Sequence, residues 1–350
     1  MSVFISGATG YIARHTVGQL LDQNYKVIGT CRSQTKCDQL QQRFGNNPNL
    51  TMEIVEDISK LDAFDGAIQK HAHEIKHVLH MASPVFFTSD DFAKDILVPA
   101  VNGTEGILTS IKKYAAESVE SVVVTFSYAA LTSPENEKGV VLNEDSWNPD
   151  SWEHCQRNGM AAYCGSKKFA EEAAWKFLAE NKDVVKFKLA TVNPVYVFGP
   201  QKFDADVSQK LNSSCEIVNQ IIHSTPNTDL TPLTLSGYCV DVRDVAKTHV
   251  LAIQNEELLG HRLIMSEGRF DTQAIMDILN ESFPVLKGKI AVGNPGTSST
   301  KNHPGTKLDD SRSRKLLKFK YHSFEETMVD MASQILKHDE LIQKSKVSVP

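Results

Sequence analysis

Ser2-Val3-Phe4-Ile5-Ser6-Gly7-Ala8-Thr9-Gly10-Tyr11-Ile12-Ala13 opens the chain, and its reading decides the fold. Ser2 to Ser6 has the apolar character of a short strand. It runs straight into a glycine-rich turn, after which apolar residues continue at helical spacing through Leu20 and Leu21. Gly7 permits the tight turn and Gly10 lets the backbone approach a diphosphate. Ala13, where a third glycine commonly stands, is still small enough for close packing of helix on sheet. The free N–H groups of the helix N-terminus then face the phosphates. Strand, turn and helix in this order read as the first unit of a dinucleotide-binding fold; the plainer alternative is a tight turn without a ligand.

The next strand, Tyr25 to Cys31, ends where an NAD-binding chain usually carries an acidic residue for the ribose 2′-hydroxyl. This chain reads Arg32-Ser33-Gln34-Thr35-Lys36 instead. A carboxylate would repel a 2′-phosphate, whereas Arg32 can grip it bidentately and Lys36 can add a point charge from the next turn. The pattern points to NADP(H), against the alternative of two solvated charges opening a surface helix.

Tyr163-Cys164-Gly165-Ser166-Lys167 places a phenol and an ammonium on one helix face. A cation beside the phenol lowers its pKa from a reference of about 10 and makes it a usable acid or base, the chemistry of a carbonyl. The β-branched run Val122 to Phe126 ends in Ser127, and residues at the carboxyl ends of strands in an open α/β sheet reach the ligand crevice. Ser127, Tyr163 and Lys167 are therefore expected to converge.

These stretches resemble the short-chain dehydrogenase/reductase superfamily in its extended form. The likeness is closer to the dihydroflavonol-4-reductase-like group, and closest to the fungal NADPH-dependent carbonyl (methylglyoxal-type) reductases. It is carried by residues 6–13, by Asp57-Ile58-Ser59-Lys60-Leu61-Asp62, by Tyr163 to Lys168 and by Asn193-Pro194-Val195-Tyr196-Val197-Phe198-Gly199-Pro200, and spans residue 1 to about 337. The resemblance implies that Ser127, Tyr163 and Lys167 are catalytic and that Gly7, Ala8, Thr9, Gly10, Tyr11 and Ile12 hold the pyrophosphate. It assigns the 2′-phosphate to Arg32 and Lys36, the adenine edge to Asp57 and Ile58, and the nicotinamide side to Pro194, Val197 and Ser214. Phe126 departs from the Ser or Thr of many relatives, and the loop 133–140 does not align clearly; both bear on the shape of the substrate pocket.

The implied reaction is reversible reduction of aldehydes and ketones, including diketones and bulky ketones, to alcohols by NADPH. Ser127 orients the carbonyl, Tyr163 donates the proton, and Lys167 holds the nicotinamide ribose while lowering the Tyr163 pKa. Phe86, Tyr128 and Tyr196 are expected to face a small-molecule carbonyl substrate. Asn102 could hold a relay water, although a helix Asn is more often structural. The same scaffold runs sugar-nucleotide epimerase or dehydratase chemistry, which would call for a more polar and basic lobe. A non-catalytic NADPH-sensing regulator is the remaining alternative, and such proteins typically lose the Tyr or the Lys.

At 350 residues the chain can bury a large core. Its net charge of −6 is modest and unclustered, so neither nucleic acid nor an anionic membrane is expected as partner. No apolar run suits a membrane span, and the first strand lacks the features of a signal peptide, so a cytoplasmic location is expected. Whether the chain is a monomer or a dimer is left open. Cys31, Cys37, Cys155, Cys164, Cys215 and Cys239 follow no metal spacing and read as reduced thiols. His73-Glu74-Ile75-Lys76-His77 fits the zinc-hydrolase pattern, but His77 begins an apolar strand, which breaks the helical spacing of the two rings; no metal is expected.

Strand and helix patterns alternate as far as Asn193, the rhythm of an α/β fold with a doubly wound parallel sheet (Rossmann). Residues 1–200 form the NADP-binding domain, to which about 238–266 and 311–337 return. Residues 201–237 and 267–310 form a smaller, C-terminal substrate-capping lobe, and 338–350 a frayed tail.

Overall fold

The computed structural model describes residues 1–83, 87–137, 139–230, 233–300 and 306–347. Strand β1 (Ser2–Ser6) is buried at every position. That is the requirement on a parallel strand covered on both faces, and it explains why β1 reads as an apolar run instead of an alternating one. The strands β2 (Lys26–Cys31), β3 (Leu50–Ile54), β4 (Ile75–His80), β5 (Ser121–Thr125), β7 (Lys188–Pro194) and β10 (Arg262–Met265) join it in a seven-stranded sheet; β6 (Val141–Leu142), β8 (Tyr196–Phe198) and β9 (Ser236–Asp241) lie outside it. The order is β10-β7-β5-β4-β1-β2-β3, with every neighbouring pair parallel. The chain winds outward from β1 to β3, then returns to the other side of β1 with β4. The switch point therefore falls between the carboxyl ends of β1 and β4, where an open α/β sheet leaves its ligand crevice.

Helices α1 (Tyr11–Asp22), α2 (Gln34–Arg43), α3 (Asp65–His71), α4 (Val98–Tyr114) and α5 (Gly159–Asn181) connect these strands. A π-helical turn, Ala93–Leu97, leads into α4. Phe4, Phe64, Ile68, Val78, Ile107, Ile111, Val122 and Ala174 share one buried apolar cluster that fixes α3, α4 and α5 against the sheet. His73 lies in a turn while His77 sits in β4 with its Nδ1 2.9 Å from Ser121 Oγ, so no single helix carries the two rings. No described helix is long and apolar enough to cross a membrane.

The chain divides into two compact units with interleaved boundaries. The first comprises Met1–Pro194, Val245–Met265 and Gly305–Phe319; the second comprises Val195–Asp244, Ser266–Pro304 and Lys320–Pro350. Several expected boundaries need correction: the first unit ends at Pro194 where residue 200 was expected, and its last segment takes in residues before 311 that were expected in the lobe. Residues 238–244 were expected to return to the NADP-binding domain, but β9 pairs with β8 and with β11 (Gly268–Asp271) in a separate three-stranded sheet of the second unit. The closing helix α10 (Phe324–Val347) also belongs to that unit, where it packs on α8 (Thr272–Ser282) and α6 (Ser213–Ile222). It runs on past residue 337 where a frayed tail was expected, and within the extension His223 at the end of α6 reaches Asp339 at 3.0 Å.

Candidate active site

A groove of about 190 Å³ opens at the switch point, lined by Gly7, Thr9, Gly10, Thr30, Cys31, Arg32, Lys36, Val55, Ile58, Met81, Ala82 and Ser83. Gly7 has φ +67°, and a side chain there would meet the Ala82 backbone at 2.9 Å, so both conformation and space demand glycine. Gly10 caps α1 without a side chain, which leaves the N-terminal N–H groups of the helix for a ligand. Arg32 and Lys36 stand exposed along the β2–α2 connection. An anion-binding helix end and a pair of cations thus line the same groove, a donor set that fits a dinucleotide carrying a further phosphate. Ala8 is buried in the turn, Tyr11 and Ile12 begin α1, and Asp57 accepts from the Ser59 hydroxyl at 2.6 Å and from its N–H at 2.9 Å. Those Ser59 bonds hold the Asp57 carboxyl below its ordinary range.

Ser6 at the end of β1 shapes the wall opposite. Its Oγ accepts from the N–H groups of Met81 and Ala82, each at 3.0 Å, which leaves the hydroxyl proton to donate to His80 Nδ1 at 2.8 Å. His80 is therefore a neutral, buried anchor, its pKa pushed down to about 3 by burial and secondarily by the Lys167 charge. The anchored segment presents Ser83, whose Oγ accepts from Lys167 Nζ at 2.7 Å.

Lys167 and Tyr163 lie one turn apart on α5, which Asn158 caps by accepting from the Ala161 N–H. The Tyr163 hydroxyl donates to Ser127 Oγ at 3.4 Å, so the residues expected to converge do so within one unit. Ser127 Oγ also accepts from the Ala129 N–H at 3.1 Å, because Ser127 caps a short 3₁₀ turn, Tyr128–Ala130. Lys167 Nζ is 5.5 Å from the Tyr163 ring centroid. Burial lowers Lys167 to about 8, and burial also raises Tyr163 above its ordinary value. The depression of the Tyr163 pKa expected from Lys167 does not appear: desolvation raises the phenol against the lowering effect of its Ser127 hydrogen bond, while Lys167 Nζ donates to Ser83.

Behind Ser127 lies a buried network that no local sequence pattern announced. Asn193 Nδ2 donates to the Ser127 carbonyl at 3.3 Å and to Glu171 Oε2 at 2.7 Å. Glu171, fully buried on α5, also accepts from Thr191 Oγ1 at 2.7 Å and from both Nε and Nη2 of Arg262 at 2.8 and 3.1 Å. Thr125 at the end of β5 is held at 2.7 Å by the buried His249. The signal available in the sequence was only the presence of polar residues inside otherwise apolar strands.

Comparison with known proteins decides the family. Residues 3–265 match the pattern of the NAD dependent epimerase/dehydratase family. The chain belongs to that family. It is 58% identical over 341 residues to the NADPH-dependent methylglyoxal reductase GRE2 of Saccharomyces cerevisiae, covering 97% of this chain and 99% of the relative. The solved structure of yeast methylglyoxal/isovaleraldehyde reductase Gre2 complexed with NADPH superposes with a TM-score of 0.93 at 58% identity, again over 97% and 99% of the two chains. That of Candida albicans Gre2 in complex with NADPH gives 0.92 at 44% identity, over 97% and 99%.

Within this extended epimerase/dehydratase-family fold the remaining expected residues are spread more widely. Pro194 is buried at the end of β7, whereas Val197 on β8, Ser214 on α6 and Tyr196 on β8 belong to the second unit. Tyr196 packs there against Phe270, ring centroids 5.4 Å apart. Tyr128 packs beside the buried cluster of Ala130, Leu131 and Ile264. Phe86 lies outside the described residues, but its neighbour Phe87 stands 5.3 Å from the Tyr163 ring. Phe126 is a core residue, and Asn102 donates to the Ser59 carbonyl at 3.1 Å, a structural role. The reading of six reduced cysteines is corrected: Cys31 and Cys37 are joined in a disulfide, while Cys155, Cys164, Cys215 and Cys239 are free and buried. The β2–α2 turn brings the Cα atoms of the pair to 6.1 Å, which a spacing of six residues did not disclose.

Proposed function

We propose that the chain reduces aldehydes and ketones to alcohols with NADPH, and runs the reverse oxidation at high alcohol and NADP+. The observation that carries this reading is the Tyr163 hydroxyl on Ser127 Oγ at 3.4 Å, with Lys167 buried beside it and a cation-bearing groove leading up to them. Gly7 to Ile12 and the end of α1 hold the pyrophosphate, Arg32 and Lys36 the 2′-phosphate, and Asp57 and Ile58 the adenine edge. Pro194, Val197 and Ser214 are assigned to the nicotinamide side by the same reading.

NADPH, when bound, supplies the hydride. With both lone pairs of Ser127 Oγ engaged by the Ala129 N–H and the Tyr163 hydroxyl, the Ser127 hydroxyl proton is the one directed to the substrate oxygen. Tyr163, kept protonated by burial, turns its own proton to that oxygen as negative charge develops. Lys167, fixed through Ser83, provides a buried positive charge beside the ring and a donor for the nicotinamide ribose. Phe87 against Tyr163 makes the approach apolar on one side, which favours carbonyl compounds over sugar nucleotides.

Identity of 58% to a reductase named for methylglyoxal supports a small, oxidised carbonyl among the substrates, and the reading includes a cytoplasmic setting. The test is NADPH oxidation across aldehydes, 1,2-dicarbonyls and aryl ketones, with cell fractionation for location. No oxidation with any member of the panel, in protein that still binds NADPH, would overturn the assignment.

A further inference from the structure

The disulfide between Cys31 and Cys37 brackets the two cations that line the cofactor groove. Cys31 ends β2, Arg32 follows it, Lys36 lies in the first turn of α2, and Cys37 comes next. Both cysteines are buried, at 3% and 1% exposure, whereas Arg32 to Lys36 between them are exposed. The crosslink therefore closes a short loop whose outward-facing side chains are the ones read above as holding the 2′-phosphate. Cys31 is the member of the pair that lines the groove.

Both redox states suit this fold. As a disulfide, the pair has a Cα separation of 6.1 Å, inside the usual range for an unforced bridge. In the bridged form Cys31 Sγ lies 3.2 Å from the Ser33 carbonyl and Cys37 Sγ 3.8 Å from the Glu53 carbonyl, so each thiol that reduction would create has an acceptor at hand. Cys155, Cys164, Cys215 and Cys239 are buried and take part in no disulfide. A crosslink whose reduced form is also accommodated, placed at a ligand site, has the character of a reversible pair more than of a structural staple.

We propose that Cys31 and Cys37 form a dithiol–disulfide switch that sets how tightly the groove holds the 2′-phosphate of NADPH. The inference rests on the reading of Arg32 and Lys36 as the 2′-phosphate grip. The co-reactant is a low-molecular-weight disulfide such as oxidised glutathione. One Cys thiolate attacks it, forming a mixed disulfide and releasing one glutathione thiol. The second Cys sulfur attacks the protein sulfur of that mixed disulfide, forming the Cys31–Cys37 bond and releasing the second glutathione thiol. Two protein thiols are oxidised, one co-reactant disulfide is reduced, and the two protons end on glutathione. The crosslinked loop holds Arg32 and Lys36 in place before the ligand arrives, so less freedom is lost on binding. NADH lacks the phosphate these side chains address and is indifferent to the state of the bridge. By reciprocity, bound NADPH protects the bridge from reduction.

The experiment uses the full chain, either treated with oxidised glutathione or reduced with dithiothreitol and desalted. Alkylation under denaturing conditions, read by intact mass, is expected to add four groups to the oxidised protein and six to the reduced, matching the four free cysteines and the one bridge. Equilibrium titration is expected to give NADPH a Kd at least about fivefold lower in the oxidised state, the low end of ordinary coupling between sites, with the NADH Kd unchanged. The double variant Cys31→Ser, Cys37→Ser is expected to respond to neither treatment. Six alkyl groups after oxidised glutathione, or equal NADPH Kd values in the two states, would overturn the switch. Arg32→Ala separates the two ideas. Where it weakens NADPH binding yet redox state does not, the grip stands and the switch is refuted; where it leaves NADPH binding untouched, the grip is absent and the switch falls with it.

Discussion

Asn193 donates from its side-chain amide to the main-chain carbonyl of Ser127 at 3.3 Å, tying the end of β7 to the residue that receives the Tyr163 hydroxyl. The second amide contact, to Glu171 at 2.7 Å, fixes the orientation of the group, so Asn193 acts on Ser127 as a positioning residue. Asn193→Ala is expected to lower kcat by roughly tenfold through a misplaced hydroxyl while leaving the NADPH Kd nearly unchanged, since a misplacement of about 1 Å is costly to rate. Asn193→Gln is expected to recover part of the loss. Steady-state kinetics together with cofactor titration checks this; equal losses in kcat and in NADPH binding would point to general damage instead.

The same network makes a stability prediction. Arg262 is bound by both carboxylate oxygens of Glu171, and the two side chains are 8% and 0% exposed. Glu171→Ala strands a buried guanidinium and is expected to cost roughly 3–5 kcal/mol. Replacing the pair together with apolar residues is expected to cost much less, because no charge is then left unpaired. Urea unfolding of the single and double variants measures the difference.

Tyr163→Phe retains the ring that packs against Phe87 and removes the proton donor. Turnover is expected to fall by at least ~10²-fold, with NADPH binding nearly kept. Ordinary turnover by this variant would show that the proton comes from elsewhere.

Much of this arrangement was legible because it is local. The β1 turn and α1 are contiguous, and Tyr163 with Lys167 share one helix, so spacing alone places them. Apart from the Cys31–Cys37 bridge, most of what escaped was carried by distant pairs. Lys167 meets Ser83 across 84 residues, and Asn193 meets Glu171 across 22. Residues 238–244 were expected in the NADP-binding domain because an apolar run suits either unit, and the β9 partners Tyr196–Phe198 and Gly268–Asp271 are separated from it in sequence. The Lys167 charge was expected to act on Tyr163 because the spacing says nothing of Ser83 or of the burial that dominates both pKa values.

Those pKa shifts fix the pH dependence. Lys167 is lowered from 10.5 to about 8 by burial, while Tyr163 is raised above its ordinary 10. Carbonyl reduction needs both groups protonated, so kcat/KM is expected to fall on an alkaline limb near pH 8 set by Lys167, with Tyr163 titrating beyond it. Stability moves the other way. Between about pH 8 and 10.5 the unfolded chain binds the Lys167 proton more readily than the folded chain, so the contribution of this group to stability rises with pH. The loss of activity is thus not unfolding. In Lys167→Arg the limb is expected to move upward, because the guanidinium stays charged. A limb unchanged in that variant would assign it to another group.

Cofactor preference turns on charge at the end of β2. Arg32 can form two charge-assisted hydrogen bonds to a 2′-phosphate, each worth roughly 1.5–3 kcal/mol when shielded from water. Arg32 and Lys36 are both exposed, so solvent screening cuts that gain. The expected preference for NADPH over NADH in kcat/KM is about tenfold to a thousandfold. Arg32→Asp is expected to abolish or reverse it, since a carboxylate repels the phosphate but accepts from a free ribose hydroxyl. Lys36→Ala is expected to weaken it less, because a flexible point charge adds attraction without the geometry of a planar fork. Raising the salt concentration should narrow the gap between the cofactors as the exposed charges are screened. Equal use of NADH and NADPH by the unmodified protein at moderate salt would mean that both cations only face solvent.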